Sequence, residues 1–295
     1  MSDTAVLRRF NRTYTQRIGA LQDSFLGLGL PLGTARLVFE IGDRPTAIRE
    51  LRSRLDLDSG YLARQLRLLE ERGLAEVVPD RTDRRRRVVT LTRRGRTTWR
   101  TLDRRSEELA ARLVEPLTQR QRDRLTEALA TADLLVRSAT VHLREVDAGS
   151  PEALAAVRQY FTELDRRFPQ GFDTEAALAD DASSVETHRS LFVVATSDGD
   201  PVACGGVREL EPGVGEIKRM WVHPDWRGAG LGARLLRHLE ALSTGMGHRL
   251  ARLDTNRTLD EAVTMYGRAG YQEIGRYNDN PDAQAWFEKP LTPQR

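Results

Sequence analysis

Residues 220–236 read Met-Trp-Val-His-Pro-Asp-Trp-Arg-Gly-Ala-Gly-Leu-Gly-Ala-Arg-Leu-Leu. This stretch places a cluster of glycines between an apolar, strand-like run and a strongly helical run. Glycine lets the backbone turn tightly and direct several N–H groups to one place, where the start of the following helix adds positive potential. The pattern Arg227-x-x-Gly230-x-Gly232 therefore predicts a binding site for a pyrophosphate.

Two other kinds of glycine-rich turn can be excluded. A dinucleotide-binding turn requires Gly-x-Gly-x-x-Gly, and a P-loop requires Gly-Lys-Ser/Thr where this chain has Gly232-Ala233-Arg234. The remaining pattern resembles motif A of the GNAT superfamily of N-acetyltransferases, whose loop holds the pyrophosphate of acetyl-CoA. The resemblance implies that acetyl-CoA is the acetyl donor and that it contacts Met220, Trp221, Val222, Arg227, Gly228, Ala229, Gly230, Leu231, Gly232 and Ala233.

The order of predicted elements around the loop is also similar to the GNAT fold, an α/β fold with a mixed central sheet. Alternating or continuous apolar runs predict strands, and residues 197–200 have the composition of a hairpin turn. The predicted strands are 191–194, 201–207, 215–222, 250–255, 271–277 and 283–291, with a short helix over 260–268.

Leu253-Asp254-Thr255-Asn256, followed by Ala262-x-x-x-Tyr266-x-x-Ala269-Gly270-Tyr271, resembles a later motif of the same family. The resemblance implies that Asn256 contacts acetyl-CoA and that Tyr266 faces the leaving thiolate. A phenol can donate a proton to a thiolate, because the two groups have comparable proton affinities. The alternative is that Tyr266 only packs its ring in the core. A strand-end N–H near Val222 is expected to polarise the thioester carbonyl.

Glu216 is the candidate general base, because it lies on the strand before the loop, where the histone-acetylating branch of the superfamily places its base glutamate. An alternating strand also puts Glu216 and Lys218 on one face, where they could line a substrate cleft or pair with each other. A chain of water molecules could also remove the proton from the amine. The sequence leaves these alternatives open.

Residues 34–92 resemble a winged helix-turn-helix, with helices predicted over 34–41, 46–55 and 60–72. Asp58 or Ser59 would cap the third helix, and Gly73 would end it. Polar side chains that project away from the leucine face of this helix are candidates for reading bases in the major groove. They are Ser59, Tyr61, Arg64, Gln65 and Arg67.

Two predicted strands, 74–78 and 88–92, flank a tip that carries five arginines between residues 79 and 87. The tip resembles the wing of the MarR family, which implies that Arg81, Arg84 and Arg85 cross a DNA minor groove. Phosphates and a narrow minor groove favour inserted guanidinium groups. The alternative is a charge run that is simply solvated.

Long amphipathic helices are predicted over 4–28, 93–117 and 119–138. The MarR resemblance implies that they interlock into a homodimer, which places two recognition helices one turn apart on a pseudo-palindromic double-stranded DNA operator. The alternative is a helical bundle within one chain.

Two domains are expected, because 295 residues exceed the length of one typical domain. The apolar content of 39% is enough for ordinary hydrophobic cores. We expect a mainly α-helical, MarR-like winged helix-turn-helix and dimerisation domain over 1–138, and the GNAT domain over 139–295. No membrane span or signal peptide is recognisable, so a cytoplasmic location is expected. Cys204 is the single cysteine, and the five histidines form no ligand-spaced pair, so no metal site is expected.

Three functional hypotheses follow. The preferred one is a DNA-binding regulator fused to an N-acetyltransferase that acts on a small primary amine, such as an amino acid, whose carboxylate could be bound by Arg166, Arg167, Arg208 or Arg219. The second is a transcription factor whose GNAT domain senses acetyl-CoA or a metabolite. The third is a protein acetyltransferase with a DNA-docking module. Because Lys218 and Lys289 are the only lysines, self-modification is disfavoured.

Overall fold

The computed structural model describes the residues 3–80, 83, 85–174, 190–197 and 199–292. The chain divides into two compact units, residues 1–126 and 127–295. The point of division lies inside a helix, Gln119–Thr140, whereas composition placed a boundary near the C-terminal end of that helix. The boundary at 138/139 stays a prediction.

The N-terminal unit is a winged helix-turn-helix with a small antiparallel sheet in the order β1-β3-β2. Its core consists of leucines from the helices together with Val89 of the sheet. Its elements are α1 (Asp3–Arg17), a 3-10 turn (Phe25–Gly27), α2 (Leu32–Ile41), β1 (Thr46–Ala47), α3 (Ile48–Leu55), α4 (Ser59–Glu71), β2 (Ala75–Pro79), β3 (Arg87–Leu91), α5 (Arg93–Val114) and the beginning of α6 (Gln119–Thr140).

The helix predicted over 60–72 is confirmed as α4. The Asp58 carboxylate accepts a hydrogen bond from the Tyr61 N–H at 3.0 Å and caps the helix, and the positive φ of Gly73 ends it. Three other predicted helices are shorter than expected. The first ends at Arg17, because Gly19 takes a left-handed φ of 69°. The second begins at Ile48, because the backbone of 46–47 pairs with β3. The helix predicted over 93–117 ends at Val114.

The C-terminal unit is built on a seven-stranded sheet in the order β4-β5-β6-β7-β8-β10-β9. All strand neighbours are antiparallel except β7 and β8, so the predicted mixed sheet is confirmed. One face is covered by α7, the other by α8 and α9. The elements are β4 (Leu143–Val146), α7 (Pro151–Arg167), β5 (Ser190–Ser197), β6 (Asp200–Glu211), β7 (Val214–Val222), α8 (Leu231–Gly245), β8 (Leu250–Thr255), α9 (Asp260–Arg268), β9 (Gln272–Ile274) and β10 (Ala285–Pro290).

The strands β7 and β8 pair only at their beginnings. Val214–Glu216 lies in register with Leu250–Arg252, and the ladder then stops although β7 continues to Val222. Arg219 has a positive φ of 53°, and β7 holds one more residue than β6 between the pairs Cys204–Trp221 and Gly206–Lys218. This bulge turns β7 away, so its edge beyond Glu216 does not pair with β8. None of the helices in the described ranges combines the length and apolar content needed to cross a bilayer.

A substitution at Gly95, in the first turn of α5, would test the packing of the N-terminal unit. A Cβ at this position would lie 1.9 Å from the carbonyl oxygen of Leu74. We expect Gly95→Ala to lower the free energy of unfolding by about 1–3 kcal/mol, because the backbone at Leu74 must shift. Thermal unfolding followed by circular dichroism measures this.

Gly267→Ala is the matched control, because a Cβ there would meet no atom within 4 Å and the residue lies in a helix. It should leave stability unchanged or raise it by up to about 1 kcal/mol. Equal melting temperatures for both variants would contradict the close approach of α5 to Leu74.

Candidate functional site

The glycine-rich stretch forms the turn between β7 and α8. Gly228 and Gly230 both adopt φ of 79°, a left-handed conformation that other residues rarely take. Gly230 immediately precedes α8, and no side chain caps the helix. The first N–H groups of α8 are therefore left for an anion, as in other anion-binding helix starts. A Cβ on either glycine would meet no atom within 4 Å, so the turn borders open space.

The other residues predicted to contact acetyl-CoA surround this turn. A Cβ on Gly232 would lie 3.2 Å from the Met265 sulfur, so this glycine permits close packing of α8 on α9. Trp221 and Leu231 are buried. The half-buried residues are Met220, Val222, Arg227, Ala229 and Ala233.

Glu163 of α7 holds both ends of the segment that leads from β7 into the loop. Its Oε2 accepts a hydrogen bond from the Trp221 indole N–H at 2.7 Å, and its Oε1 pairs with the Arg227 guanidinium. The Arg227 Nε also donates to the Val222 carbonyl at 3.0 Å. The Arg227 side chain is therefore engaged within the protein, and it anchors the loop by these contacts.

Two clefts flank this region. One, of about 740 Å³, lies between α7 and the loop and is lined in part by Trp221 and Arg227. The other, of about 690 Å³, lies between α8 and α9 and is lined in part by Ala233 and Met265. Both are bordered by Glu261 at the start of α9. A long ligand could therefore extend past the glycine turn from one cleft to the other.

Tyr266 lies at the inner end of α9, next to the gap between β7 and β8. It is only 5% exposed, and its ring packs against Tyr271 and Phe287 with centroids 5.9 and 6.0 Å away. Burial, and then the negative charge of Asp254, raises the pKa of Tyr266 above its ordinary value. The phenol therefore stays protonated at neutral pH, as a proton donor must.

Tyr160 is a second tyrosine whose pKa is raised, and the sequence did not single it out. It belongs to α7, on the other side of the sheet from α9, and its pKa is raised mainly by burial, with the charge of Asp254 contributing. In the sequence Tyr160 belongs to the apolar pattern of α7, with Val157, Phe161 and Leu164, and nothing distinguishes it from a core residue.

Glu216, the candidate general base, lies in a network of contacts within the protein. This side chain is fully buried, and its Oε2 accepts from the Arg208 Nε at 2.6 Å. Its Oε1 accepts from the Tyr277 hydroxyl at 2.9 Å and from the Asn278 amide at 3.2 Å, with the Lys218 ammonium 3.4 Å away. A carboxylate with both oxygens engaged has little capacity to take a proton from a substrate. The geometry favours the ion-pair alternative over the base.

Asn256, a predicted acetyl-CoA contact, is also engaged within the protein. It is 4% exposed, its amide nitrogen donates to the Asp282 carbonyl at 2.8 Å, and its amide oxygen accepts from the Thr258 N–H at 3.0 Å. Both ends of the amide therefore stabilise the turn after β8. A contact between this side chain and acetyl-CoA would require those bonds to break.

Among the arginines considered for a substrate carboxylate, Arg208 and Arg167 form ion pairs within the unit. Arg208 pairs with Glu216, and Arg167 pairs with Glu261 at 2.8 Å. Cys204 is buried, and burial raises the pKa of its thiol, as expected for a core cysteine. Among the described residues no group of three or more histidine, cysteine, aspartate or glutamate side chains could hold a metal ion.

In the N-terminal unit, the leucine face of α4 is buried, and Ser59, Tyr61, Arg64 and Arg67 face solvent. Gln65 is half-buried, and its amide oxygen accepts a hydrogen bond from the Thr34 hydroxyl at 2.7 Å. One end of that amide therefore ties α4 to α2. In the tip between β2 and β3, Arg85 is exposed, while Arg81 and Arg84 lie outside the described residues.

Comparison with known proteins finds two families in one chain. Residues 157–271 match the acetyltransferase (GNAT) family, and residues 28–86 match the MarR family. An IAA acetyltransferase of Azospirillum brasilense is 32% identical over 139 residues, which cover 46% of this chain and 91% of that protein.

Two solved structures are similar to separate halves of the chain. An acetyltransferase of the GNAT family from Staphylococcus aureus Mu50 is 14% identical, with a TM-score of 0.45, and the match covers 51% of this chain and 100% of that chain. Streptococcus pneumoniae FabT in complex with DNA is 15% identical, with a TM-score of 0.42, and the match covers 47% of this chain and 100% of that chain.

The anchoring contacts of Glu163 lead to a prediction about acetyl-CoA binding. Glu163→Ala removes the acceptor for Trp221 and the counter-ion of Arg227, so the loop loses its attachment to α7. We expect the dissociation constant for acetyl-CoA, measured by calorimetry, to rise about tenfold. Glu163→Gln keeps an acceptor for Trp221 and should have a smaller effect.

Glu152→Ala is the control on the same helix, because Glu152 pairs with Arg144, away from the loop. It should bind acetyl-CoA as the wild type does. Wild-type affinity in Glu163→Ala would show that α7 does not position the loop.

Proposed function

Because the chain belongs to the GNAT acetyltransferase family and carries a MarR family region ahead of that domain, we propose that it is a DNA-binding transcriptional regulator whose C-terminal unit transfers an acetyl group from acetyl-CoA to a small primary amine. One observation carries the enzymatic part of the proposal. The gap between β7 and β8 adjoins the uncapped start of α8, and a buried, protonated Tyr266 borders that gap.

The glycine turn and the first N–H groups of α8 would hold the pyrophosphate of acetyl-CoA. When bound, acetyl-CoA supplies an acetyl group activated as a thioester. The edge of β7 from Ile217 to Val222 is not paired with β8, so its N–H groups are candidates for polarising the thioester carbonyl. Donors fixed in a strand require little rearrangement during the reaction, which favours the charge that develops on that oxygen.

Tyr266 would donate the proton that the departing sulfur needs. Burial raises its pKa, so the hydroxyl is protonated at neutral pH, and packing on two aromatic rings fixes the position of the ring. The interpretations of Tyr266 as a core residue and as an acid are compatible, because packing of the ring does not remove the phenolic proton.

The proposed acceptor is a small primary amine such as an amino acid. Side chains of both charges border the gap, with Asp254 on β8 and Lys218 on β7. The carboxylate of Asp254 favours the ammonium group of such an acceptor. Arg166, on α7, is exposed and lines the adjoining cleft.

A second candidate is a regulator whose GNAT domain senses acetyl-CoA or a metabolite without efficient turnover. The commitment of Glu216 to contacts within the protein favours it, because a domain that only binds ligand needs no catalytic base. Such a domain could shift DNA affinity if its ligand binds two states of the protein unequally.

The N-terminal unit is proposed to bind double-stranded DNA as a homodimer. The exposed face of α4 carries Arg64 and Arg67, and Arg85 projects at the tip of the wing. Unusually for a helix surface, α1 exposes four large apolar residues, which favours burial against a second copy. These residues are Val6, Leu7, Phe10 and Tyr14. Two copies would present two recognition helices to a pseudo-palindromic operator.

The enzymatic proposal predicts thiol release from acetyl-CoA with at least one member of a panel of L-amino acids, polyamines and aminoglycosides. Tyr266→Phe removes the proton donor, so kcat should fall about 100-fold. The wild-type kcat should also stay level up to about pH 10, because burial holds the pKa of Tyr266 above the ordinary phenol value.

Tyr271→Phe is the matched control, since Tyr271 is as buried as Tyr266 and packs against the Tyr266 ring. It should retain the wild-type kcat. Acetyl-CoA binding without turnover across the whole panel would support the sensor instead.

The DNA-binding proposal predicts that the full chain selects a duplex from a random library. Replacement of Arg64 by alanine should weaken binding to that duplex about 10- to 100-fold in fluorescence anisotropy, if the arginine reads a base edge. Arg104→Ala on α5 is the control, because Arg104 is similarly exposed and pairs with Glu108. Failure to select any sequence would contradict specific DNA recognition.

A further inference from the structure

Asp254 occupies the point at which β8 parts from β7. In the paired part Glu216 lies opposite Arg252, so the continued register would bring Lys218 opposite Asp254. The backbones no longer pair there, and the two side chains bridge the gap. The Lys218 Nζ lies 3.4 Å from Oδ1 and 3.3 Å from Oδ2 of Asp254, whose side chain is 6% exposed.

The two oxygens of Asp254 are engaged to different degrees. Oδ2 accepts from the Asn278 amide at 2.6 Å and from the Asn280 amide at 3.2 Å, in addition to Lys218. Among the contacts between described residues, Oδ1 accepts only from Lys218. That distance is beyond the usual hydrogen-bond range, and a carboxylate oxygen can accept two bonds. Oδ1 therefore has capacity for another donor.

Glu216 is held more tightly, although it lies on the same face: its side chain is fully buried, and its bonds to Arg208 and Tyr277 are 2.6 and 2.9 Å long. Arg208 engages one of its oxygens, and Tyr277 and Asn278 engage the other. Removing the negative charge of Glu216 would leave Arg208 without its counter-ion. Of the two carboxylates at the gap, Asp254 is the one that can exchange a partner.

Asp254 is also close to the reacting atoms that the proposed function implies. Tyr266 packs on Phe287, and Phe287 pairs with Leu253, the residue before Asp254. The charge of Asp254 also contributes, after burial, to the raised pKa of Tyr266. The acceptor nitrogen and the leaving sulfur must approach the same acetyl carbon. A carboxylate close to the acid that protonates the sulfur is therefore close to the nitrogen as well.

We propose that Asp254 receives the ammonium of the acetyl acceptor, in place of Lys218, and takes the first proton that the nitrogen gives up. This inference rests on the proposed acetyltransferase function. Lys218 is itself a primary ammonium at this carboxylate, so the gap accommodates the chemical group in question. When displaced, Lys218 keeps its second carboxylate neighbour, Glu216, at 3.4 Å.

The protons and bonds balance as follows. The ammonium passes one proton to Asp254, and the freed lone pair forms the nitrogen–carbon bond while the carbon–sulfur bond breaks. Tyr266 gives its proton to the sulfur and regains one from the nitrogen, which has then lost two. Asp254 releases its proton to solvent. The products are the amide, the free thiol and one proton.

Asp254→Asn tests this role in the full chain. The acceptors are those of the panel of L-amino acids, spermidine and tobramycin that the wild type acetylates. Loss of a charge-assisted hydrogen bond should raise the acceptor KM about 10- to 100-fold and leave the KM for acetyl-CoA unchanged. In the variant, kcat/KM should also rise with pH in proportion to the fraction of the acceptor amine that is neutral. In the wild type, kcat/KM should level off at a pH below the pKa of the acceptor amine.

Asp279→Asn is the matched control, because Asp279 lies between Asn278 and Asn280 in sequence but is fully exposed. It should behave as the wild type. A wild-type acceptor KM and pH profile in Asp254→Asn would overturn the inference, and the same changes produced by Glu216→Gln alone would assign the role to Glu216. A wild type that acetylates no member of the panel would instead contradict the proposed function.

Lys218→Met provides a second test that does not depend on the folding of Asp254→Asn. If the acceptor displaces Lys218, removing that ammonium should lower the acceptor KM or leave it unchanged. A large increase in the acceptor KM would mean that Lys218 and Asp254 act together as a fixed structural pair, and would overturn the inference.

Discussion

The loss of pairing between β7 and β8 after three residue pairs is the constraint on which the C-terminal unit depends. A parallel ladder that continued would occupy the edge of β7 and close the sheet between α7 and α9. The bulge at Arg219 accompanies the end of this ladder and leaves the edge of β7 beyond Glu216 unpaired with β8. The same strand then leads into the glycine turn. The open strand edge and the turn, on which the proposed chemistry rests, thus lie on one continuous stretch of chain.

The charged side chains next to the gap are largely buried, and a buried charge without a partner lowers the stability of the fold. The segment between β9 and β10 compensates for this. Tyr277 donates to Glu216, Asn278 donates to both Glu216 and Asp254, and the Trp286 indole fixes Asn278 through a bond of 2.9 Å. The strand predicted over 271–277 ends at Ile274. After it, Tyr277 and Asn278 donate hydrogen bonds to the carboxylates at the gap.

The end of α6 is bound to the part of the C-terminal unit that carries the glycine turn. Arg234 of α8 donates to the carbonyls of Ser138 and Val141, and the Arg137 guanidinium lies 4.7 Å from the ring centre of Trp226. Carbonyls at a helix end lack partners within the helix, so an arginine there satisfies groups that would otherwise need water. These contacts explain why the compact units divide within α6 although the composition changes only after it.

The sequence by itself determined the two families, the order of most elements, the glycine turn, and the recognition helix with its cap and its terminating glycine. These features depend on neighbouring residues, whose spacing and conformational preferences are visible along the chain. Only the tertiary structure decided the hydrogen-bond partners of Glu216, Asn256 and Gln65. Their partners lie far away in sequence, and a sequence motif does not show whether a side chain already has hydrogen-bond partners. The capacity of Asp254 to accept another donor likewise depends on Asn278 and Asn280, which reach it only because β9 ends early.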